Sequence, residues 1–208
     1  VDCDWSSDVC SSDLASEAPK PPSQSWGFEG IFGTYDRGAL QRGYQVYKEV
    51  CAACHALHEI RYRDLASSRA GGLGLGYTDD EVKAIAAEYK VMDGPNDQGE
   101  MFERAGRPAD YFPAPWPNEN AARARYNGVP PDFSVLAKAR TYERGFPQFV
   151  FDMFTQFQEQ GVDYIHALLT GYQDKPPAGV TLPPGNFYNK YFPGNALSMP
   201  PPLSDKQV

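Results

Sequence analysis

The sequence has few histidines and cysteines, and it lacks both a long apolar run and a stripe of basic residues. Its 208 residues include three histidines and four cysteines. No stretch approaches the run of about 18 apolar residues that a membrane-spanning helix needs, so we expect no such helix within this sequence. Basic residues form no stripe, and 27 acidic against 19 basic residues give a net charge of -8. A nucleic-acid partner is therefore not expected, whereas a basic protein would suit this charge.

Residues 1–14 look foreign to the rest of the chain. They contain no Lys or Arg, hold half of the cysteines, and nearly repeat a short string, Ser-Ser-Asp-Val-Cys followed by Ser-Ser-Asp-Leu. A secretory signal would show a basic start and an apolar run, and neither is present. We therefore expect residues 1–14 to be an artefactual or disordered tail and residues 15–208 to form one domain. Cys3 and Cys10 are assigned no function.

The most informative segment is Cys51-Ala52-Ala53-Cys54-His55. A Cys-x-x-Cys-His spacing is the attachment signature of a c-type haem. Positions i, i+3 and i+4 of a helix share one face, so Cys51, Cys54 and His55 would all face one flat ligand. Two thioethers would then hold the edge of the porphyrin, and His55 would be the proximal ligand of the iron.

Two other uses of paired cysteines remain open. A thioredoxin-like redox pair needs a βαβ context, and no alternating pattern of strands and helices surrounds the motif. A structural zinc site needs more ligands, and the other cysteines lie in the doubtful N-terminal tail. Haem is therefore the preferred interpretation over both alternatives.

Local signals predict short helices around the motif. Asp36 is an N-cap residue, and Leu40, Tyr44, Tyr47 and Cys51 recur at helical spacing, so a helix would lead into the motif and end there. Residues 78–81 form a capping box, followed by an apolar stripe at positions 82, 85, 86 and 89. Further helices are expected at 121–126 and 134–140, and at 164–170 with Asp163 as its cap. With 19 Pro and 19 Gly, the fold class is mainly α with long irregular loops.

A haem iron held by His55 has a sixth position to fill. Met199 is the strongest candidate because it opens a Met-Pro-Pro-Pro segment, in which the prolines stiffen the loop that holds the sulfur. His58 is too close to His55 in sequence to reach the opposite face, and His166 is expected to be a packed core histidine. The remaining methionines are expected in the core: Met92, Met101 and Met153. Thioether ligation favours ferrous iron, which suits the transfer of single electrons.

From Gly38 to Leu203 the chain resembles the cytochrome c1 family, the haem subunits of the cytochrome bc1 complex. Segments in the same order and spacing carry the resemblance: Arg42-Gly43-Tyr44-Gln45-Val46-Tyr47, Asp93-Gly94-Pro95-Asn96, Gly99-Glu100-Met101-Phe102, Asp110-Tyr111-Phe112-Pro113, Asn127-Gly128-Val129-Pro130-Pro131-Asp132, Leu168-Leu169-Thr170-Gly171-Tyr172 and Ala196-Leu197-Ser198-Met199-Pro200-Pro201-Pro202. It implies a cytochrome c-like helical domain around one covalent haem c. Residues 141–162 resemble an insertion of alphaproteobacterial members.

The resemblance also implies site residues. Cys51 and Cys54 would form the thioethers, and His55 and Met199 would be the axial ligands. Arg140 would pair with a haem propionate, a contact that a partly buried carboxylate needs. The haem pocket would be lined by three more residues: Pro130, Pro131 and Tyr164. Tyr126 replaces an Asn that is common in the family, so no polar haem contact is carried over to that position.

The function implied is electron transfer within the quinol:cytochrome c oxidoreductase of a respiratory chain. The partners would be cytochrome b, a Rieske iron–sulfur protein as donor and a soluble cytochrome c as acceptor, on the periplasmic side of the inner membrane. Family members continue into a membrane anchor helix that is absent from this chain. Quinol oxidation would belong to another subunit. Two alternatives remain open: a free-standing mono-haem carrier, and a haem enzyme with an open iron site.

Overall fold

The computed structural model describes residues 18–30, 32–67, 74–126, 128–140, 147, 150–151, 154 and 160–204. The expectations for residues 1–14, for Met153 and for most of the 141–162 insertion lie outside these residues. Within them the chain is mainly helical, with long loops and short two-stranded sheets. This confirms the expected fold class. No helix in the described ranges is long and apolar enough to cross a bilayer.

The two helices with the strongest sequence signals form as predicted. Helix α1 spans Arg37–Glu49, and the Asp36 carboxylate accepts hydrogen bonds from the backbone N–H groups of the first turn. Helix α2 spans Asp79–Ala87, and Thr78 and Glu81 cap it reciprocally. Each cap satisfies N–H groups that have no partner inside the helix. One difference is that α1 ends at Glu49 and does not run through the Cys-x-x-Cys-His motif.

The apolar core lies between α1, α2 and the short 3₁₀ turn Tyr62–Leu65. Tyr62 is fully buried, and its ring centroid lies 4.3 Å from that of Phe112. The predicted apolar stripe of α2 faces this core: Val82 and Ala86 are buried, and Ile85 and Tyr89 pack against it. The core therefore fixes α1, and with it the chain that enters the motif.

A hairpin follows α2. Strands β1 (Lys90–Asp93) and β2 (Phe102–Ala105) are antiparallel, with Lys90 opposite Ala105. Met92 and Met101 are each 57% exposed on this hairpin. Their predicted place in the core is therefore wrong, because a two-stranded sheet with little covering it leaves one face in solvent.

Arg104 links this hairpin to the loop that follows it. Its guanidinium contacts Asp93 across the hairpin and holds Asp110 at 2.6 and 2.9 Å. The paired Arg104 lowers the pKa of Asp110. Burial of the carboxyl acts in the opposite direction, and a backbone hydrogen bond from Arg107 lowers the pKa further. A two-pronged, charge-assisted contact of this kind is geometrically specific.

Further along the chain lie the helices α3 (Glu119–Tyr126), α4 (Leu136–Ala139) and α5 (Gly161–Thr170). Helix α4 is shorter than predicted. Helices α4 and α5 pack closely, since a Cβ atom at Gly161 would lie 1.6 Å from the Ala137 carbonyl oxygen. Only glycine allows this approach.

Asp163 does not cap α5, which corrects the prediction. The helix starts at Gly161, three residues before its predicted start, and the Asp163 side chain is buried, with 3% exposure. Its carboxylate accepts hydrogen bonds from the Trp26 indole at 2.7 Å and from the Gln24 backbone at 3.1 Å. This buried contact fastens the segment before α1 to α5.

The C-terminal segment is anchored to the other end of α5. Strands β3 (Phe187–Tyr188) and β4 (Ala196–Leu197) pair antiparallel. Asn189, fully buried, donates to the Leu168 carbonyl at 2.7 Å and accepts from the Tyr191 N–H at 3.0 Å. A buried amide with its hydrogen bonds made holds one geometry. The loop carrying Met199 directly follows β4.

Candidate functional site

The Cys-x-x-Cys-His motif forms a single helical turn after α1. Cys51–Ala53 is a 3₁₀ turn, and the Cys51 carbonyl accepts from the N–H groups of Cys54 at 3.0 Å and His55 at 2.8 Å. One helical turn is enough to bring residues three and four apart to one side. Both cysteines are half-buried and not in a disulfide. Cys51, Cys54 and His55 therefore lie within one hydrogen-bonded turn, although α1 itself has ended.

His55 is buried, with 7% exposure, and its orientation is fixed by two contacts. Its Nδ1 donates to the Pro131 carbonyl at 2.8 Å, and its ring stacks on Phe133 with centroids 4.1 Å apart. A carbonyl can only accept, so the proton is on Nδ1 and the lone pair is on Nε2. Burial lowers the pKa of His55, against the opposing effects of Pro131 and Asp132. The imidazole is thus neutral at pH 7, the form that binds a metal.

These features fit a covalent haem. Two thiols and a neutral imidazole with a free Nε2 lone pair are the donor set that c-type haem attachment needs. The Nδ1 hydrogen bond is the outer contact that fixes the tautomer and orientation of a metal-binding histidine. Cys51, Cys54 and His55 would hold the group, as the sequence predicts.

Two tyrosines hold the backbone of the motif, and the sequence argument did not assign them this role. The Tyr47 hydroxyl donates to the His55 carbonyl at 3.1 Å, and the Tyr126 hydroxyl donates to the Ala53 carbonyl at 3.2 Å. Tyr47 lies on the predicted inner stripe of α1, which was the available signal. Tyr126 is the last residue of α3, and its hydroxyl reaches the motif from there.

Met199 lies in a loop that is partly buried and held from α5. The Tyr172 hydroxyl donates to the Met199 carbonyl at 3.0 Å. Tyr172 follows the end of α5, and Asn189 and the β3–β4 pair anchor the chain just before Met199. The chain is therefore anchored just before Met199 and at the Met199 carbonyl itself.

The remaining predicted pocket residues differ in exposure. Tyr164 is 8% exposed on α5, and burial raises the pKa of its hydroxyl while the positive charge of Arg140 opposes the shift. Arg140 itself is exposed at the end of α4, and Pro131 is exposed beside half-buried Pro130. The structure thus brings Arg140 near Tyr164, and Pro131 into contact with His55.

The other histidines are accounted for by protein contacts. The His58 ring donates to the Asp132 carboxylate at 2.8 Å. His166 is exposed and meets Trp26 edge-on, with ring centroids 6.0 Å apart. The prediction of a core histidine at position 166 is therefore wrong, because its face of α5 points outward while Asp163, Tyr164 and Ala167 are buried.

A mainly helical domain with a fixed Cys-x-x-Cys-His turn and a neutral, buried histidine defines a c-type cytochrome domain. The chain belongs to the Cytochrome C1 family, whose family model matches residues 26–208. Proteins of this family carry a covalently bound haem c.

Individual relatives agree with this assignment. The chain is 61% identical over 190 residues to "Cytochrome b/c1" of Bradyrhizobium diazoefficiens, covering 91% of this chain and 27% of that protein. It is 49% identical over 196 residues to "Cytochrome c1" of Blastochloris viridis, covering 93% and 68%. A mitochondrial cytochrome c1 of Arabidopsis thaliana is 44% identical over 203 residues, covering 97% and 58%. The higher identity to the alphaproteobacterial relatives agrees with the predicted bacterial type.

The chain thus spans about a quarter of the Bradyrhizobium protein and more than half of the other two.

Proposed function

We propose that this chain is the electron-transferring haem domain of a cytochrome bc1 complex. One covalent haem c would supply the redox chemistry, taking up one electron and releasing it. The single observation that carries the proposal is His55: it lies in the attachment turn, neutral, with Nδ1 bound to the Pro131 carbonyl at 2.8 Å. That arrangement leaves Nε2 as the nitrogen for the iron.

The chain's own residues would bind and orient the group. Cys51 and Cys54 would form thioethers, His55 and Met199 would be the axial ligands, and Tyr164, Pro130 and Pro131 would exclude water around it. Arg140 would pair with a propionate from the exposed end of α4. Axial Met raises the reduction potential relative to two imidazoles.

The proposed partners follow from the family and from surface charge. Cytochrome b would anchor the complex in the membrane, a Rieske iron–sulfur protein would donate electrons on the periplasmic side, and a soluble cytochrome c would accept them. One relative is named "Cytochrome b-c1 complex catalytic subunit, mitochondrial", and another is named "Cytochrome b/c1".

An acidic face would steer a basic acceptor. The sequence offers a run of carboxylates for it: Asp79, Asp80, Glu81, Glu88, Asp93, Asp97, Glu100 and Glu103. Several of these already have partners within the chain: Asp80 with Lys83, Glu88 with Lys48, Asp93 with Arg104 and Glu81 with Thr78. Asp97, Glu100 and Glu103 are exposed around the β1–β2 hairpin. The bimolecular rate with a basic acceptor should fall with salt; a flat salt profile would contradict this steering.

The deciding experiment is the visible spectrum of the reduced protein, produced with haem-attachment machinery, before and after carbon monoxide. A c-type spectrum that the gas leaves unchanged is the expected result. A spectrum that shifts would indicate an open iron site and favour a haem enzyme. The absence of any haem band would overturn the proposal altogether.

A further inference from the structure

Two segments far apart in sequence run side by side behind His55. Residues 55–59 follow the attachment turn, and residues 131–134 precede α4. Hydrogen bonds join them at successive positions: His55 Nδ1 to the Pro131 carbonyl at 2.8 Å, Phe133 N–H to the Ala56 carbonyl at 2.9 Å, His58 N–H to Asp132 Oδ2 at 2.9 Å, and Glu59 N–H to Ser134 Oγ at 3.0 Å. The register of one segment against the other is therefore fixed.

Asp132 makes more of these contacts than any other side chain in the two segments. Its Oδ2 accepts from both the backbone and the ring Nδ1 of His58, and its Oδ1 accepts from the Ser134 N–H at 2.7 Å. Its side chain is 30% exposed, so these bonds form at the edge of solvent. Burial raises the pKa of Asp132, but the hydrogen bonds from Ser134 and His58 outweigh it and the net pKa is lowered. The carboxylate is ionised at pH 7.

The carbonyl that holds His55 shares a peptide plane with Asp132. The Pro131 C=O and the Asp132 N–H belong to one planar unit, so fixing Asp132 fixes the direction of that carbonyl. Proline has no N–H, so the preceding Pro130–Pro131 peptide has no donor that could help to hold this unit. The contacts of the Asp132 carboxylate thus help to set the position of the Pro131 carbonyl, which accepts the hydrogen bond from His55 Nδ1.

We propose that Asp132 is a positioning residue for His55, keeping the Pro131 carbonyl on Nδ1 so that Nε2 faces the iron as a strongly donating ligand. The inference rests on the proposed haem function and deepens it. A strong hydrogen bond at Nδ1 raises the basicity of the ligand nitrogen, which stabilises ferric iron. Weakening that bond should favour ferrous iron and raise the reduction potential.

The test is a potentiometric titration of the haem-loaded chain with three variants. Asp132→Ala should raise the ferrous-to-ferric ratio at a fixed ambient potential by about three- to tenfold. A tenfold change corresponds to about 59 mV for a one-electron couple. Asp132→Asn, which keeps an oxygen acceptor, should fall between this variant and the wild type. His58→Ala removes only the ring contact and should give a smaller shift in the same direction.

Asp36→Ala is the matched control, because Asp36 also accepts backbone N–H bonds but lies at the far end of α1. It should lower the thermal midpoint and leave the potential unchanged. The NMR signal of the His55 Nδ1 proton should exchange faster with solvent in Asp132→Ala and not in Asp36→Ala.

Equal potentials and equal proton exchange in wild type, Asp132→Asn and His58→Ala would overturn the inference, even if Asp132→Ala fails to fold. Absence of covalent haem from the wild type would instead overturn the proposed function. The two failures are therefore distinguishable.

Discussion

The Tyr172 hydroxyl donates a hydrogen bond to the backbone carbonyl of Met199, with 3.0 Å between the oxygens. Burial raises the pKa of Tyr172, with nearby Tyr164 adding to the shift, so the hydroxyl keeps its proton at any physiological pH. The donor is therefore always present. The contact ties the loop of the proposed axial ligand to the segment that follows the C-terminal end of α5.

Replacement of Met199 tests the proposed sixth ligand. In Met199→Ala the iron should lose its thioether, so the reduced spectrum should change on addition of carbon monoxide, unlike that of the wild type. Met92→Ala and Met101→Ala are matched controls because both side chains are exposed. Carbon monoxide binding that is absent in Met199→Ala, or present in either control, would exclude Met199 as the ligand.

Removal of single cysteines tests the proposed thioethers. Cys51→Ala and Cys54→Ala should each retain haem through one covalent bond, and the double variant should release it into acidified organic solvent. The measurement is the haem absorbance left with the denatured protein. Cys3→Ala and Cys10→Ala are the controls and should keep wild-type attachment; release of haem from either would mean that the N-terminal cysteines take part.

Two variants of Tyr62 distinguish the contribution of its buried ring to stability from the contribution of its hydroxyl. Its side chain is fully buried against Phe112, and its hydroxyl has no hydrogen-bond partner among the described residues. Tyr62→Ala should lower the free energy of unfolding by about 3–5 kcal/mol because it leaves a cavity. The free energy of unfolding of Tyr62→Phe should lie within about 1 kcal/mol of the wild-type value or exceed it. Denaturant titration measures both, and a large loss in Tyr62→Phe would reveal a missing partner for the hydroxyl.

The ion pair between Arg104 and Asp110 should make the stability of the fold depend on pH. Arg104 lowers the folded-state pKa of Asp110, so the ion pair stabilises the fold above the unfolded value of about 3.9 and loses its effect as pH falls through the lower folded value. Asp110→Asn should therefore have a lower thermal midpoint than wild type at pH 7. The difference should shrink as the pH is lowered below about 4. A gap that stays constant down to pH 2 would show that charge is not its cause.

Local chemistry in the sequence predicted much of the fold. Asp36 and Thr78 mark helix starts because a cap needs only neighbouring residues, and the stripes of α1 and α2 face the core as their spacing indicates. The attachment turn was equally predictable, since its three side chains lie within five residues. These features depend on contacts close in sequence.

Other features depend on distant contacts that no local pattern contains. Asp163 has the features of a cap, yet Trp26 binds it from across the fold. Met92 and Met101 have apolar side chains but lie on a hairpin that leaves them in solvent. Asp132 is bound by His58, 74 residues away, and nothing near Asp132 in sequence indicates that contact. Such residues gain their function from packing between segments.

The buried contact between Trp26 and Asp163 joins residues 137 positions apart. A chain made from its N-terminus onwards presents the Trp26 indole long before its carboxylate partner exists, and the attachment cysteines also emerge in between. Closing so long a loop is entropically slow, so this contact forms after the local helices. The segment before α1, which carries Trp26, is therefore among the last parts of the domain to fold. Haem would thus be attached to a chain in which the Cys-x-x-Cys-His turn has formed but Trp26 has not yet bound Asp163.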